Sequence, residues 1–154
     1  IDGDLSRLSC IHRHESYMRG MIKHSLPMQN KWMTYGGIVQ KSGYEAAKRM
    51  LSACMDDLPT AICANNDGVA FGVYDACAEL GLRIPEDISV VGADGHERGR
   101  HISPPLTTFE INRHDIAMAA YACMADRRRA RGGRRVFLPC PFVERGSVAD
   151  RAAS

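Results

Sequence analysis

Pro59-Thr60-Ala61-Ile62-Cys63-Ala64-Asn65-Asn66-Asp67-Gly68-Val69-Ala70-Phe71-Gly72 opens the stretch that decides the fold, and Ile88-Ser89-Val90-Val91-Gly92-Ala93-Asp94 closes it. Residues 60–64 are a short apolar run between a proline and a polar triplet. Val69, Ala70, Val73, Tyr74, Cys77 and Leu80 then recur with helical spacing. Asn66 or Asp67 can cap that helix, and Gly81 ends it with Pro85 just beyond. Residues 88–93 form a second continuous apolar run. Runs apolar on both faces fit parallel strands covered by helices on each side. The stretch is one β-α-β unit.

The same alternation extends upstream. Ser42-Gly43-Tyr44-Glu45 reads as a capping box, with Ser42 as N-cap and Glu45 at the third helical position. Ala46, Ala47, Met50 and Leu51 line one face behind it. Residues 33–39 suit a strand interrupted by Gly36-Gly37. Ile11, Met18, Met21 and Ile22 mark a helix that stops before Pro27, and residues 1–3 read as the tail of a strand. Downstream, residues 96–105 are loop and 106–111 a short strand. An Ala-rich helix follows over 116–124, with last short strands at 136–138 and 142–143. The expected fold is α/β: an open, mostly parallel, doubly wound sheet.

Composition narrows the function classes. The chain has 154 residues, 45% of them apolar but only 6% aromatic, so its core relies on aliphatic side chains. No run approaches the roughly 18 apolar residues that a bilayer span needs. The opening Ile1-Asp2-Gly3-Asp4 has no signal-peptide pattern and no starting Met, which reads as an excised or truncated chain. Six cysteines form no C-x-x-C pair, and most have apolar neighbours. That usage fits free thiols in a reducing compartment, the cytoplasm. The net charge of +2 rests on six arginines at 127, 128, 129, 131, 134 and 135; without those six the remainder carries −4. A mildly acidic body offers no broad basic face for a phosphate backbone. The arginine stretch itself, with Gly132-Gly133, reads as a solvated loop.

Doubly wound sheets bind ligands outside the carboxyl ends of their strands. Four such ends can be located, and three are polar. Asp4, Arg7, Ser9 and Arg13 follow the first; Asn65, Asn66 and Asp67 follow residues 60–64; Asp94 ends residues 88–94. The end near Ile38 is apolar. Arg, Asn and Asp supply forked donors, a mixed amide and a bidentate acceptor, which suit the hydroxyls of a sugar or the edge of a base. Taken singly, Asn66 and Asp67 could only cap a helix and Asp94 only start a turn. Taken together, they converge on one sheet edge. Competing chemistries are weaker. Cys10-x-His12-x-His14 suits no regular helix face, so no metal site is expected. Lys41-Ser42 lacks the glycine of a phosphate loop. No G-x-S-x-G occurs, and neither His96 nor His101 has an identifiable nucleophile, so no catalytic residue and no cofactor are assigned.

The quoted motif, with Glu79-Leu80-Gly81-Leu82-Arg83-Ile84-Pro85-Glu86-Asp87, Ser103-Pro104-Pro105-Leu106-Thr107-Thr108 and Glu144-Arg145-Gly146-Ser147, resembles the LacI/GalR family of transcription regulators in order and spacing. The resemblance covers nearly the whole chain. It implies the C-terminal part of a periplasmic-binding-protein-like sensor domain, truncated at its N-terminus. Residues 1–111 would form the C-terminal lobe, 112–138 would cross to the N-terminal lobe, and 139–154 would return. It also implies a small polar effector, such as a sugar or nucleoside-type metabolite, gripped by Arg7, Ser9, Arg13, Asn66 and Asp94. Ile38 and Arg113 would lie nearby. It implies a homodimer or tetramer to which the helix over 69–80 contributes, operator DNA bound only through an absent headpiece, and no membrane. Ile38 stands where many members carry a stacking aromatic, Gly37 where an acidic residue is common, and Gly95 where a second polar residue is common. Ile38 cannot stack on a flat purine or a pyranose face. A solute-binding protein of a sugar transport system, with the same fold, is the alternative; it would require export, which six unpaired cysteines disfavour.

Overall fold

The chain alternates helices and strands in a computed structural model that describes residues 1–125 and 135–150. The order is α1 (Leu8–Lys23), α2 (Gln40–Ala53), β1 (Ala61–Cys63), α3 (Asp67–Leu80), β2 (Ser89–Asp94), β3 (Thr107–Glu110), α4 (Arg113–Ala125) and β4 (Phe142–Val143), with short 3₁₀ turns at Asn30–Trp32 and Glu97–Arg100. The sheet runs β1-β2-β3-β4. β1 to β3 are parallel, and β4 closes the edge antiparallel to β3.

Beyond β1 the ladder continues through residues 1–3. The Ile1 nitrogen donates to the Cys63 carbonyl at 2.7 Å, and the Asn65 N–H donates to the Ile1 carbonyl at 2.9 Å. On its far side, Asp2 donates to Thr34 and accepts from Gly36, both at 2.8 Å, through a parallel bridge to Tyr35. From residues 1–3 the chain therefore winds outward through α1 and returns through α2 to β1. The winding reverses between residues 1–3 and β1, and that reversal positions the site.

The core lies between the sheet and the α2–α3 pair: Leu51, Val69, Val73, Ile88, Val90 and Leu106 are fully buried. The two helices touch backbone to backbone. A Cβ on Gly43 would stand 2.6 Å from the Val69 carbonyl oxygen, and one on Gly72 would fall inside contact distance of Gln40 and Tyr44 main-chain atoms. Only glycine fits at such a crossing. On the surface, Lys48 and Tyr44 of α2 both bond Glu79 of α3. Those contacts raise the Lys48 ammonium and lower the Glu79 carboxyl relative to their ordinary pKa values.

Several expectations shift. α2 begins at Gln40 with Val39 as N-cap, so Ser42 lies inside the first turn and its hydroxyl bonds back to the Val39 carbonyl at 2.9 Å. The expected capping box is therefore not what starts this helix. The expected strand over 33–39 reduces to the single bridge at Tyr35, because Gly36 packs against Ile1 and Gly37 turns the chain at φ 61. Residues 136–138 pair with no strand and are exposed. α3 matches expectation: Asn66 caps it by accepting from Val69 N–H at 2.8 Å, and Gly81 ends it at φ 72. Most of the arginine stretch lies outside the described residues.

Burial also sets thiol chemistry. Cys77 is enclosed by the core, and burial pushes its thiol up to about 12. Cys140 is exposed. Iodoacetamide at pH 8 should therefore alkylate Cys140 in the native protein and leave Cys77 untouched until denaturant is added. Peptide mapping by mass spectrometry reads the difference, and rapid native labelling of Cys77 would contradict the packing.

Candidate ligand site at the switch point

α1 leaves the end of residues 1–3 and lays Arg13 across the ends of β1 and β2. The Arg13 guanidinium donates through one Nη to the Asn65 carbonyl, just past β1, and through the other to Asp94 Oδ1 at 2.9 Å, at the end of β2. A planar fork is suited to two acceptors held in fixed directions, which an ammonium cannot match. The pair is half-buried, with Arg13 37% and Asp94 34% exposed. Both groups keep donor and acceptor capacity beyond this pairing. Asp94 holds φ 117, an unfavourable backbone for a residue with a Cβ, and Gly95 follows at φ 66. Strain of that kind persists only where the surroundings impose it, and it clusters at functional sites.

The other expected residues are distributed around this pair. Asn66 stands at the same rim, but its amide works within the protein: Oδ1 caps α3, and Nδ2 donates to the Ile38 carbonyl at 3.0 Å. Ile38 is half-buried beside it. Arg7 and Ser9 lie exposed at the start of α1, with Arg7 3.8 Å from Asp4. Arg113 is exposed at the start of α4. The Cys10, His12 and His14 trio is spread apart: Cys10 is buried, His12 exposed, and His14 turned to Asp2 at 2.7 Å. Among the described residues no group of three His, Cys, Asp or Glu side chains could hold a metal.

One acidic residue, Glu110, escapes the sequence reading, and a second, Asp67, enters it only as a rim residue or a helix cap. Glu110 ends β3 in register with Asp94, and Arg100 meets it at 2.8 Å. Inspecting the carboxyl end of β3 by the rule used for the other strands would have found it. Asp67 is 1% exposed and binds Thr108 and His96, each at 2.6 Å. Nothing in its local sequence distinguishes it from a helix-capping residue.

The family model for the periplasmic binding protein-like domain matches residues 7–148. This chain belongs to that family. Within it, the chain matches part of the effector-binding domain of LacI/GalR-type regulators. The HTH-type transcriptional repressor PurR of Yersinia pestis (strain Pestoides F) is 33% identical over 152 residues, which is 97% of this chain and 44% of the relative. A lac repressor dimer bound to operator and the anti-inducer ONPF superposes with a TM-score of 0.86 at 28% identity, over 97% of this chain and 51% of that one. The transcriptional regulator CelR in complex with cellobiose shares the fold, with a TM-score of 0.82 at 22% identity. This periplasmic-binding-protein-like chain spans less than half the length of the curated relatives it matches.

Proposed function

We propose that this chain is the greater part of the C-terminal lobe of a LacI/GalR-type sensor, and that it grips a small polar metabolite against Arg13 and Asp94. The observation that carries the reading is the Arg13 fork, which joins the ends of β1 and β2 where the winding of the sheet reverses. The relatives reported above are named as repressors.

Residues 1–111 and 139–154, of which 151–154 lie outside the described residues, serve as this lobe, and 112–138 as the segment that crosses to a second one. Support comes from α4, which buries none of its residues although Ile116, Met118, Tyr121 and Met124 lie along it. Phe137, 86% exposed, adds to that apolar surface. Surfaces of this kind mark contacts, and the occupant we assign is the N-terminal lobe of the same protein. Effector bound between the lobes would favour one relative orientation by its differential affinity. In a homodimer, to which α3 contributes, that change would alter the spacing of DNA-binding headpieces carried elsewhere in the protein. The cytoplasm is the compartment this role requires. Among the described residues no helix is long and apolar enough to cross a membrane.

A thermal-shift panel on the full-length protein tests the reading, with pentoses, hexoses, disaccharides, nucleosides and purine bases at millimolar concentration. A ligand at 100 times its Kd stabilises by about 2.7 kcal/mol, so at least one class should raise Tm by several degrees. A flat response to every class would sink the proposal.

A further inference from the structure

We propose that Asp67 is a positioning residue for this site: its buried carboxylate fixes the turn that presents Asp94 to Arg13. The inference rests on the reading of Arg13 and Asp94 as the ligand-gripping pair.

Asp67 is the first residue of α3, yet it caps nothing; Asn66 does that. Its two oxygens point away from the helix instead. Oδ1 accepts from the Thr108 hydroxyl on β3, and Oδ2 accepts from the main-chain N–H of His96, both at 2.6 Å. The carboxylate therefore clamps the backbone two residues beyond Asp94 onto the neighbouring strand. Gly92, on β2, leaves the room: a Cβ there would collide with Asp67 Oδ1. Gly95 leaves room on the other side, where a Cβ would stand 2.6 Å from Glu110 Cγ.

This clamp accounts for the backbone of Asp94. A φ of 117 is not held by local preference. β2 fixes the residue from its N-terminal side, through pairing with β3 that includes Asp94 and Glu110. Asp67 fixes it from the other, at His96. Between those anchors the chain has only Asp94 and Gly95 with which to turn, and the turn aims the Asp94 carboxylate at Arg13. Beyond His96, the His96 ring packs edge-on to Phe71, at 5.7 Å between centroids, which holds the same turn from the α3 side. An unpaired buried carboxylate would be costly, so a geometry with both oxygens satisfied is a specified one.

Asp67→Asn, Asp67→Ala and Thr108→Val in the full-length protein separate this role from general stability. An asparagine keeps both links: its carbonyl accepts from His96, and its NH₂ donates to a rotated Thr108 hydroxyl. Two measurements, neither needing a ligand, give the answer. Hydrogen exchange reads the His96 amide against the amides of β1 and α3. NMR of arginine-labelled protein reads rotation of the Arg13 guanidinium about its Nε–Cζ bond, which the Asp94 contact restrains. Asp67→Ala should speed both at least tenfold while β1 and α3 amides keep their protection. Asp67→Asn should stay within a few-fold of wild type. Thr108→Val should move in the alanine direction by a smaller factor, and it carries the test if Asp67→Ala does not fold. Unchanged Arg13 rotation in Asp67→Ala, or in Thr108→Val where only that variant folds, would overturn the proposal. So would exchange that rises equally throughout the sheet, or an asparagine variant no better than alanine. A failed ligand panel leaves these readouts intact, so the two readings fail separately.

Discussion

Arg13→Ala in the full-length protein is expected to weaken effector binding by at least about 100-fold and to leave DNA binding unchanged. The guanidinium makes two charge-assisted contacts, to the Asn65 carbonyl and to Asp94. A further hydrogen bond from the guanidinium to a ligand would contribute about 1.5–3 kcal/mol, and about 1.4 kcal/mol is a factor of ten in Kd. Truncation removes the donor fork and also frees Asp94 from its partner, so the ligand loses one contact outright and meets the other misplaced. Stability should change far less. A pair more than a third exposed contributes little to folding, typically about 0–1 kcal/mol. The effect therefore falls on binding and not on the fold. Arg13→Lys should recover only part of the loss, because an ammonium cannot reach both acceptors in the same geometry. Asp94→Ala should mimic Arg13→Ala. Calorimetric titration with whichever compound stabilises the wild type measures the first effect, and operator-DNA affinity without ligand measures the second. If the DNA binding of Arg13→Ala still responds at wild-type ligand concentrations, the site has been assigned to the wrong residues.

Gly72→Ala should destabilise the protein by about 3 kcal/mol, although it replaces a poor helix former with the best one. Propensity alone favours alanine by about 1 kcal/mol in a helix interior. Against that, the new Cβ would sit inside contact distance of the Gln40 carbonyl and the Tyr44 nitrogen. Both are main-chain atoms of α2, so relief requires the two helices to move apart. Overpacking of this kind costs about 1–3 kcal/mol and occasionally more, and here the neighbours cannot rotate away. Gly20→Ala is the matched control. Gly20 also lies within a helix, but nothing stands within 4 Å of its would-be Cβ. That substitution should stabilise by about 0.5–1 kcal/mol. Urea midpoints of the two variants should therefore move in opposite directions. A Gly72→Ala midpoint above wild type would mean that α2 and α3 do not touch as described.

The alternation of elements was legible because its signals are local. Asn66 and Gly81 bracket α3, and continuous apolar runs mark β1 and β2; each signal sits within the segment it describes. Ser42 misled for the same reason. A hydroxyl near a helix start carries one local signature whether it caps the helix or, as here, bonds back to Val39 from inside the first turn. The LacI/GalR signature extended that reading to the family, since order and spacing of a long motif survive without any coordinates.

Sequence by itself determined the α/β alternation, the strand ends worth inspecting, and the nomination of Arg13 and Asp94. Only the tertiary structure decided that these two, 81 positions apart, meet in one hydrogen-bonded pair. It alone also showed that Asn66 spends its amide on Val69 and Ile38, and that Asp67 faces β3 rather than its own helix. The physical reason is one of range. Caps and periodicities are energies between neighbours in the chain, whereas the direction of a buried side chain is set by whichever distant strand the topology places beside it.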